Sequence, residues 1–201
     1  MVIVSRYKFI KYPQIKKLEP FPLYILIEPT SICNLSCIMC FQSDQSFRTK
    51  EYMGMMDLGM FKDIVDQAVE SNCKFLTLAS RGEPTLHKKF GKMLEYCKGK
   101  FLELKINTNA TKMSKELSYE ILEAGVNIVV FSVDSYYKKE YERIRVGGNF
   151  EKVLENIQKF CEIKLMNTKY HKTSTRVSGV YLDGIQSESK FLDFWKNIVD
   201  T

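Results

Sequence analysis

Short apolar runs alternate with longer amphipathic segments at intervals of about 25 residues along this chain, the pattern of βαβ units around a parallel sheet. The runs fall at residues 23–27, 74–79, 101–106, 126–133 and 175–182. The fourth is almost entirely apolar, as a strand covered on both faces should be. With 201 residues, 45% hydrophobic and 27% charged, the chain has the composition of one globular domain.

The segments between the runs carry helix punctuation. Asp57 is placed to cap a helix whose inward face holds Leu58, Phe61, Ile64, Val65 and Ala68, with Met56 and Phe61 as a hydrophobic staple. A second helix is expected to run to about Lys98, where Gly99 can end it. Ser114 can cap a third, carrying Leu117, Ile121 and Leu122 and stopping at Gly125. A short helix is expected over 136–143. Asn149 can cap a longer one with Phe150, Val153, Leu154, Ile157, Phe160 and Cys161 on one face. A last helix holds Phe191, Phe194, Trp195 and Ile198.

The residues with chemical potential all follow predicted strands. Cys33, Cys37 and Cys40 come after the first, Gly82-Glu83-Pro84 after the second, Asn107 to Asn109 after the third, and Ser132 with Asp134 after the fourth. In parallel barrels the loops after the strands meet at one rim, where the active site is built. Motifs scattered at random would not all select the same rim.

Three thiolates separated by three and two residues can hold a four-iron cluster, which takes four cysteines when fully ligated by protein; one iron is then left for an outside ligand. A zinc site would need a fourth protein ligand or a water. The two histidines, His87 and His171, are distant in sequence. The same spacing also fits three small residues on one buried helical face, although Asn34, Ser36 and the preceding Pro-Thr-Ser favour a loop. Cys73, Cys97 and Cys161 stand singly on apolar stretches and are expected in the core. A chain of this length without a secretory leader needs no disulfides.

The run Glu-Pro-Thr-Ser-Ile-Cys-Asn-Leu-Ser-Cys-Ile-Met-Cys-Phe at the end of an apolar strand resembles the signature of the radical S-adenosylmethionine superfamily. The Gly82-Glu83-Pro84 turn and the segment Arg145-Val146-Gly147-Gly148 extend the resemblance over roughly residues 20 to 200. It implies an α/β fold, a partial TIM-like barrel of parallel strands. A [4Fe-4S] cluster would be held by Cys33, Cys37 and Cys40, with S-adenosylmethionine chelating the open iron. One-electron cleavage of that cofactor would give a 5′-deoxyadenosyl radical that takes hydrogen from a substrate.

By the same resemblance, Gly82 and Glu83 meet the amino group of the cofactor's methionine part, while Pro84 stiffens the turn. Arg145 pairs with its carboxylate, a geometry suited to a guanidinium fork, and Arg143 is a rival for that role. Ser132 contacts the ribose or carboxylate. Asn109 and Thr108 either bond the cofactor or only form a turn, and Asp134 either belongs to the cofactor site or caps the helix after strand four. Met39 stands where many members carry an aromatic near the adenine; its polarizable side chain can cover a base face, and Phe41 is the nearest aromatic alternative.

Residues 1–19 are expected to form an N-terminal extension and 20–201 the core domain. About six strands are implied and five are legible, so the chain is expected to be truncated or a fragment, unless another chain completes the edge. Its last helix resembles the segment that leads, in longer members, to a sixth strand and a cysteine-rich SPASM extension. The expected substrate is a peptide or a sugar-like small molecule, and the expected electron donor a flavodoxin or ferredoxin. The alternatives are a non-catalytic zinc- or cluster-binding module and an inactive fragment of such an enzyme.

The net charge of +6, from 30 basic and 24 acidic residues, suits an anionic partner without selecting one. No arginine-aromatic stripe points to RNA, so nucleic acid is not an expected partner. No apolar run reaches the roughly 18 residues of a membrane span, and the N-terminus lacks the apolar block of a signal peptide. A cytoplasmic, reducing setting suits the free cysteines.

Overall fold

A computed structural model describes residues 2–182 and 186–201. Met1, in the expected extension, and residues 183–185, in the expected core domain, lie outside it. In chain order the elements are α1 (Val2–Gln14), β1 (Tyr24–Ile27), α2 (Leu58–Glu70), β2 (Phe75–Leu78), α3 (Phe90–Cys97), β3 (Glu103–Thr108), α4 (Lys115–Glu123), β4 (Ile128–Ser132), α5 (Lys138–Ile144), α6 (Phe150–Met166), β5 (Ser174–Ser178) and α7 (Glu188–Trp195).

The five strands form one parallel sheet in the order β1-β2-β3-β4-β5, each beside its sequence neighbour. The sheet is open, a partial barrel. β5 has a further neighbour in the last residue. The Thr201 amide donates to the Thr175 carbonyl at 3.1 Å, and the Val177 amide donates to the Thr201 carbonyl at 3.0 Å. That is parallel pairing opposite Arg176.

Alternation along the strands sorts the two faces. Ile27, Leu76, Leu78, Leu104, Ile106, Val129 and Phe131 point into one apolar cluster with Phe61 and Val65 of α2, Met93 and Leu94 of α3, Ile121 of α4, and Val153, Ile157 and Phe160 of α6. Their neighbours Leu26, Thr77, Lys105, Val130 and Arg176 lie on the opposite, inner face. At its lower end α1 is placed by the edge-to-face pair Phe9–Tyr24, 5.8 Å between centroids, and by the Arg6–Glu103 ion pair.

Most of the punctuation holds. Asp57 accepts from the Gly59 and Met60 amides, Ser114 from Leu117 and Asn149 from Lys152. Gly99 and Gly125 adopt φ of +72° and +73°, conformations in which glycine closes a helix without strain. Cys73 and Cys97 are buried in the core, and Cys161 packs against it.

The differences cluster at element ends. The third strand starts and ends two residues later than its apolar run, because Leu104 and Ile106 pair with Leu76 and Leu78 and carry Asn107 and Thr108 into the ladder. The fifth stops at Ser178. Past it the Val180 amide donates to the Asp134 carboxylate rather than to a β4 carbonyl, and at Gly179 a Cβ would lie 2.9 Å from the Val133 carbonyl oxygen. The helix expected after Gly-Glu-Pro is split into a single tight turn at Pro84–Leu86 and α3.

Candidate cofactor site

The three cysteines lie in an irregular loop between β1 and α2, not on a helix, which removes the buried-stripe alternative. The loop is tied on several sides. The Ser36 and Ile38 amides donate to the Val146 and Ile144 carbonyls at 2.9 Å each, and Cys40 turns back onto the Cys37 carbonyl at 2.9 Å. Gln42 donates to the Ser31 carbonyl at 2.8 Å, while Arg48 donates to the Gln42 carbonyl at 2.8 Å and also reaches the Leu35 carbonyl.

A cleft of about 310 Å³ opens beside this loop at the C-terminal rim of the sheet. Of the residues singled out from sequence, Cys33, Cys37, Cys40, Met39, Gly82, Glu83, Asn109, Ser132 and Arg145 line it. Pro84 starts the tight turn behind it, and Asp134 lies immediately outside, against Arg145. Phe41 meets Phe47 edge to face, 5.2 Å between centroids, and is not among the residues lining the cleft, and Arg143 is exposed. A larger cleft, about 840 Å³, lies at α1 and residues 16–24 and holds none of these groups.

Gly82 and Glu83 bind the rim together. A Cβ on Gly82 would fall 1.9 Å from the Thr30 carbonyl oxygen, so glycine admits the backbone leading into the cysteine loop. The Glu83 amide donates to the Ile32 carbonyl at 2.9 Å. Its carboxylate is buried and takes four donors: the Thr85 amide at 3.1 Å, the Thr85 and Thr108 hydroxyls at 2.7 Å each, and the Asn109 amide at 2.6 Å. Burial pushes this carboxyl above its ordinary value and the hydrogen bonds pull against it. Glu83 thus stitches the β2 and β3 exits to each other.

Asn109 amplifies that contact. Its Nδ2 reaches Asn34 Oδ1 at 3.0 Å and lies 3.9 Å from Cys33 Sγ, while its Oδ1 accepts from the Thr111 amide and hydroxyl.

Asp134 does not cap the helix after β4. Tyr137 occupies the N-cap of α5 without a side-chain bond, and Ser135 accepts from the Tyr137 amide instead. Asp134 accepts from the Val180 amide at 2.8 Å and faces Arg145, Nε to Oδ2, at 2.6 Å. Burial opposes the Arg145 charge, but the carboxylate outweighs it and holds the guanidinium protonated. The N–H does not point along this contact, so both atoms lack a hydrogen-bond partner, as does the buried Asn107 Oδ1 in the cleft wall.

Burial raises the Cys33 thiol and pushes Cys37 up to about 11, with Arg145 pulling Cys37 back. Thiols so placed ionise only beside a cation, which coordinated metal provides. Among the described residues, no three His, Cys, Asp or Glu side chains converge as around a single ion. Sulfurs on one tetrahedral zinc would sit about 3.8 Å apart, from a Zn–S bond of about 2.3 Å. Thiolates on three different irons of a cluster are spread more widely. Three thiols on one loop beside the cleft are the donor type of an iron–sulfur cluster.

Sequence reasoning missed Glu28, Thr30, Asn34, Arg48 and Asn156. Glu28 accepts from the Arg81 guanidinium and backbone amide. Thr30 donates to the Gly54 carbonyl, and Asn156 of α6 to the Ala110 carbonyl at 2.8 Å. Asn156 alone left a signal, an amide between the apolar positions Val153 and Ile157.

The model of the Radical SAM superfamily matches residues 27–177, well over half of the chain. The chain belongs to the radical SAM superfamily. Members of this superfamily bind a [4Fe-4S] cluster and S-adenosylmethionine.

Among its relatives, the tungsten-containing aldehyde ferredoxin oxidoreductase cofactor-modifying protein of Pyrococcus furiosus is 38% identical over 112 residues, covering 55% of this chain and 30% of that protein. The mycofactocin maturase MftC of Mycobacterium tuberculosis is 24% identical over 162 residues, covering 81% and 40%. Streptococcus suis SuiB bound to S-adenosylmethionine superposes with a TM-score of 0.69 at 20% identity, covering 94% of this chain and 41% of SuiB. SuiB bound to its precursor peptide SuiA gives the same TM-score at 18% identity, covering 96% and 40%. These structures share the partial-barrel fold, and a SPASM-related core is consistent with both SuiB and MftC. The chain spans between 30% and 52% of the length of the first curated relatives it matches.

Proposed function

We propose that this radical SAM chain carries the cluster on Cys33, Cys37 and Cys40 and performs hydrogen abstraction on a peptide or sugar-like substrate, drawing electrons from a flavodoxin or ferredoxin in the cytoplasm. The observation that carries the reading is the meeting, around one cleft, of the three thiols with residues from the exits of β2, β3 and β4 and with Arg145. When bound, the cluster and S-adenosylmethionine supply one-electron cleavage of a carbon–sulfur bond and a 5′-deoxyadenosyl radical.

The protein's part is holding and shielding. Glu83 and Asn109 fix the β2 and β3 exits against the cysteine loop, and with Gly82 they would hold the amino group of the cofactor's methionine part. Arg145 offers the rest of its guanidinium to a carboxylate while Asp134 holds it in place. Asn107 and Ser132 supply polar contacts deeper in the cleft, and Met39 covers it on the loop side. The peptide option is favoured by two relatives, SuiB with its precursor peptide and MftC, a mycofactocin maturase.

The test is anaerobic reconstitution with iron and sulfide, reduction with dithionite, and chromatographic detection of 5′-deoxyadenosine. The expected outcome is four irons and four sulfides per chain, with product from the wild type and none from Cys37→Ala. One tightly held zinc without cofactor cleavage would instead establish the binding-module alternative.

A further inference from the structure

The inner face of the sheet carries charge that its own neighbours do not neutralise. By strand register, Leu26, Thr77, Lys105, Ile128 and Ser174 form one row across it, and Asn107, Val130 and Arg176 form part of the next row toward the rim. The acids on this face are already engaged. Glu103 pairs with Arg6 of α1, and Glu28 with Arg81 at 2.8 Å. Among the described residues, Lys105 and Arg176 form no ion pair; Arg176 makes one long contact, Nε to the Thr201 hydroxyl at 3.4 Å.

Lys105 is half-buried and lines a cleft of about 340 Å³ with Tyr24, Phe75, Thr77 and Glu103. Strands about 4.8 Å apart and a rise of about 3.3 Å per residue separate the Lys105 and Arg176 Cα atoms by about 12 Å. Two long side chains from one inward-curving face can span that gap around a single anion. Asn107, two residues above Lys105 on β3, is in the wall of the cofactor cleft. An anion held here would therefore leave the rest of its molecule beside that cleft.

We propose that Lys105 and Arg176 form an anion subsite on the inner face of the sheet, which takes a carboxylate or phosphate of the substrate. A cation pair whose nearest acid, Glu103, is already engaged by Arg6 gains most from a group that brings its own charge. The substrate class is then acidic: a peptide with an acidic residue or a free C-terminus, or a phosphorylated metabolite. Placing this group on the substrate rests on the function proposed above; the binding of an anion does not.

The test uses the metal-free chain at low ionic strength, titrated calorimetrically with inorganic phosphate and, separately, with succinate. Saturable one-to-one binding is expected, weakened at least tenfold in Lys105→Met and in Arg176→Gln, and unchanged in Lys115→Met on the outer helix layer. Lys105→Arg keeps the charge and is expected to retain binding, which separates lost charge from a damaged fold. A preference for phosphate assigns a phosphorylated substrate; a preference for succinate assigns a carboxylate. Absence of saturable binding, or equal affinity in all variants, overturns the subsite. If anions bind as expected but the reconstituted protein forms no 5′-deoxyadenosine, the proposed radical function fails and the subsite stands.

Discussion

Gly82 illustrates how a single hydrogen atom can be a structural requirement. Any Cβ there would enter the Thr30 carbonyl, and neither backbone can yield without moving the cysteine loop. Gly82→Ala is expected to cost about 2–3 kcal/mol as overpacking, lowering the melting temperature by about 4–12 °C for a chain of this size. A melt superimposable on wild type would show that the two segments are not packed this closely. Cys37 makes a second residue-level case. Its folded pKa of about 11 lies above the ordinary 9.0, so in the metal-free chain its contribution to stability is intact below pH 9 and is lost as pH rises through about 11. Alkylation of Cys37, followed by mass spectrometry across pH, should titrate with that midpoint. Since Arg145 holds the thiol down, Arg145→Gln should move the midpoint further up; an unchanged midpoint would mean the two groups do not face each other.

Elements differ in how much of their support is local. The cap of α2 is local: Asp57 accepts from Gly59 at 2.7 Å and Met60 at 3.3 Å, so Asp57→Ala should cost about 1 kcal/mol in denaturant unfolding. At the start of β5 the support is tertiary. Burial would raise the Asp200 carboxyl, but Lys164 and the Thr175 amide and hydroxyl outweigh it and hold it below 3.8. A depressed folded pKa contributes stability above the unfolded value that disappears as pH falls through the folded one. Asp200→Asn should therefore flatten the acid side of the stability profile below about pH 4 relative to wild type, and identical acid limbs would discount the Lys164 pairing. This contrast explains what could be recognised from the sequence. Strand alternation, the caps at Asp57, Ser114 and Asn149, and the glycine stops were legible because each depends on neighbours in the chain. So was the rim, since every strand of a parallel sheet exits on the same side. The two-residue displacement of β3, the end of β5 at Gly179 and the Asp134–Arg145 pairing were not, because each is decided by a segment distant in sequence. The same holds for Arg48 and Asn34, whose partners are carbonyls and amides that no side-chain pattern reveals.

At the scale of the whole molecule, helices α2, α3, α4 and α6 cover one face of the sheet, while the inner face is covered by protein chiefly at its lower end, by α1. That helix exposes Ile3, Val4, Tyr7 and Ile10 and is held chiefly by the partly exposed ion pairs Arg6–Glu103 and Lys8–Glu19 and by the Phe9–Tyr24 contact. Surface pairs of this kind contribute about 0–1 kcal/mol. Hydrogen exchange should accordingly find α1 opening well before β2 to β4; protection of α1 equal to that of β3 would require an additional anchor. The cysteine loop presents the opposite case. Tied to the Gly82–Glu83 turn, to the exit of α5 and to itself through Gln42 and Arg48, it has surrendered most of its freedom to the fold. In small zinc domains the metal must order the chain that receives it, and much of the binding energy is consumed in that step. Here the thiols proposed as ligands stand on a loop the fold already orders, so a chain stripped of its iron should keep its shape and accept the cluster again.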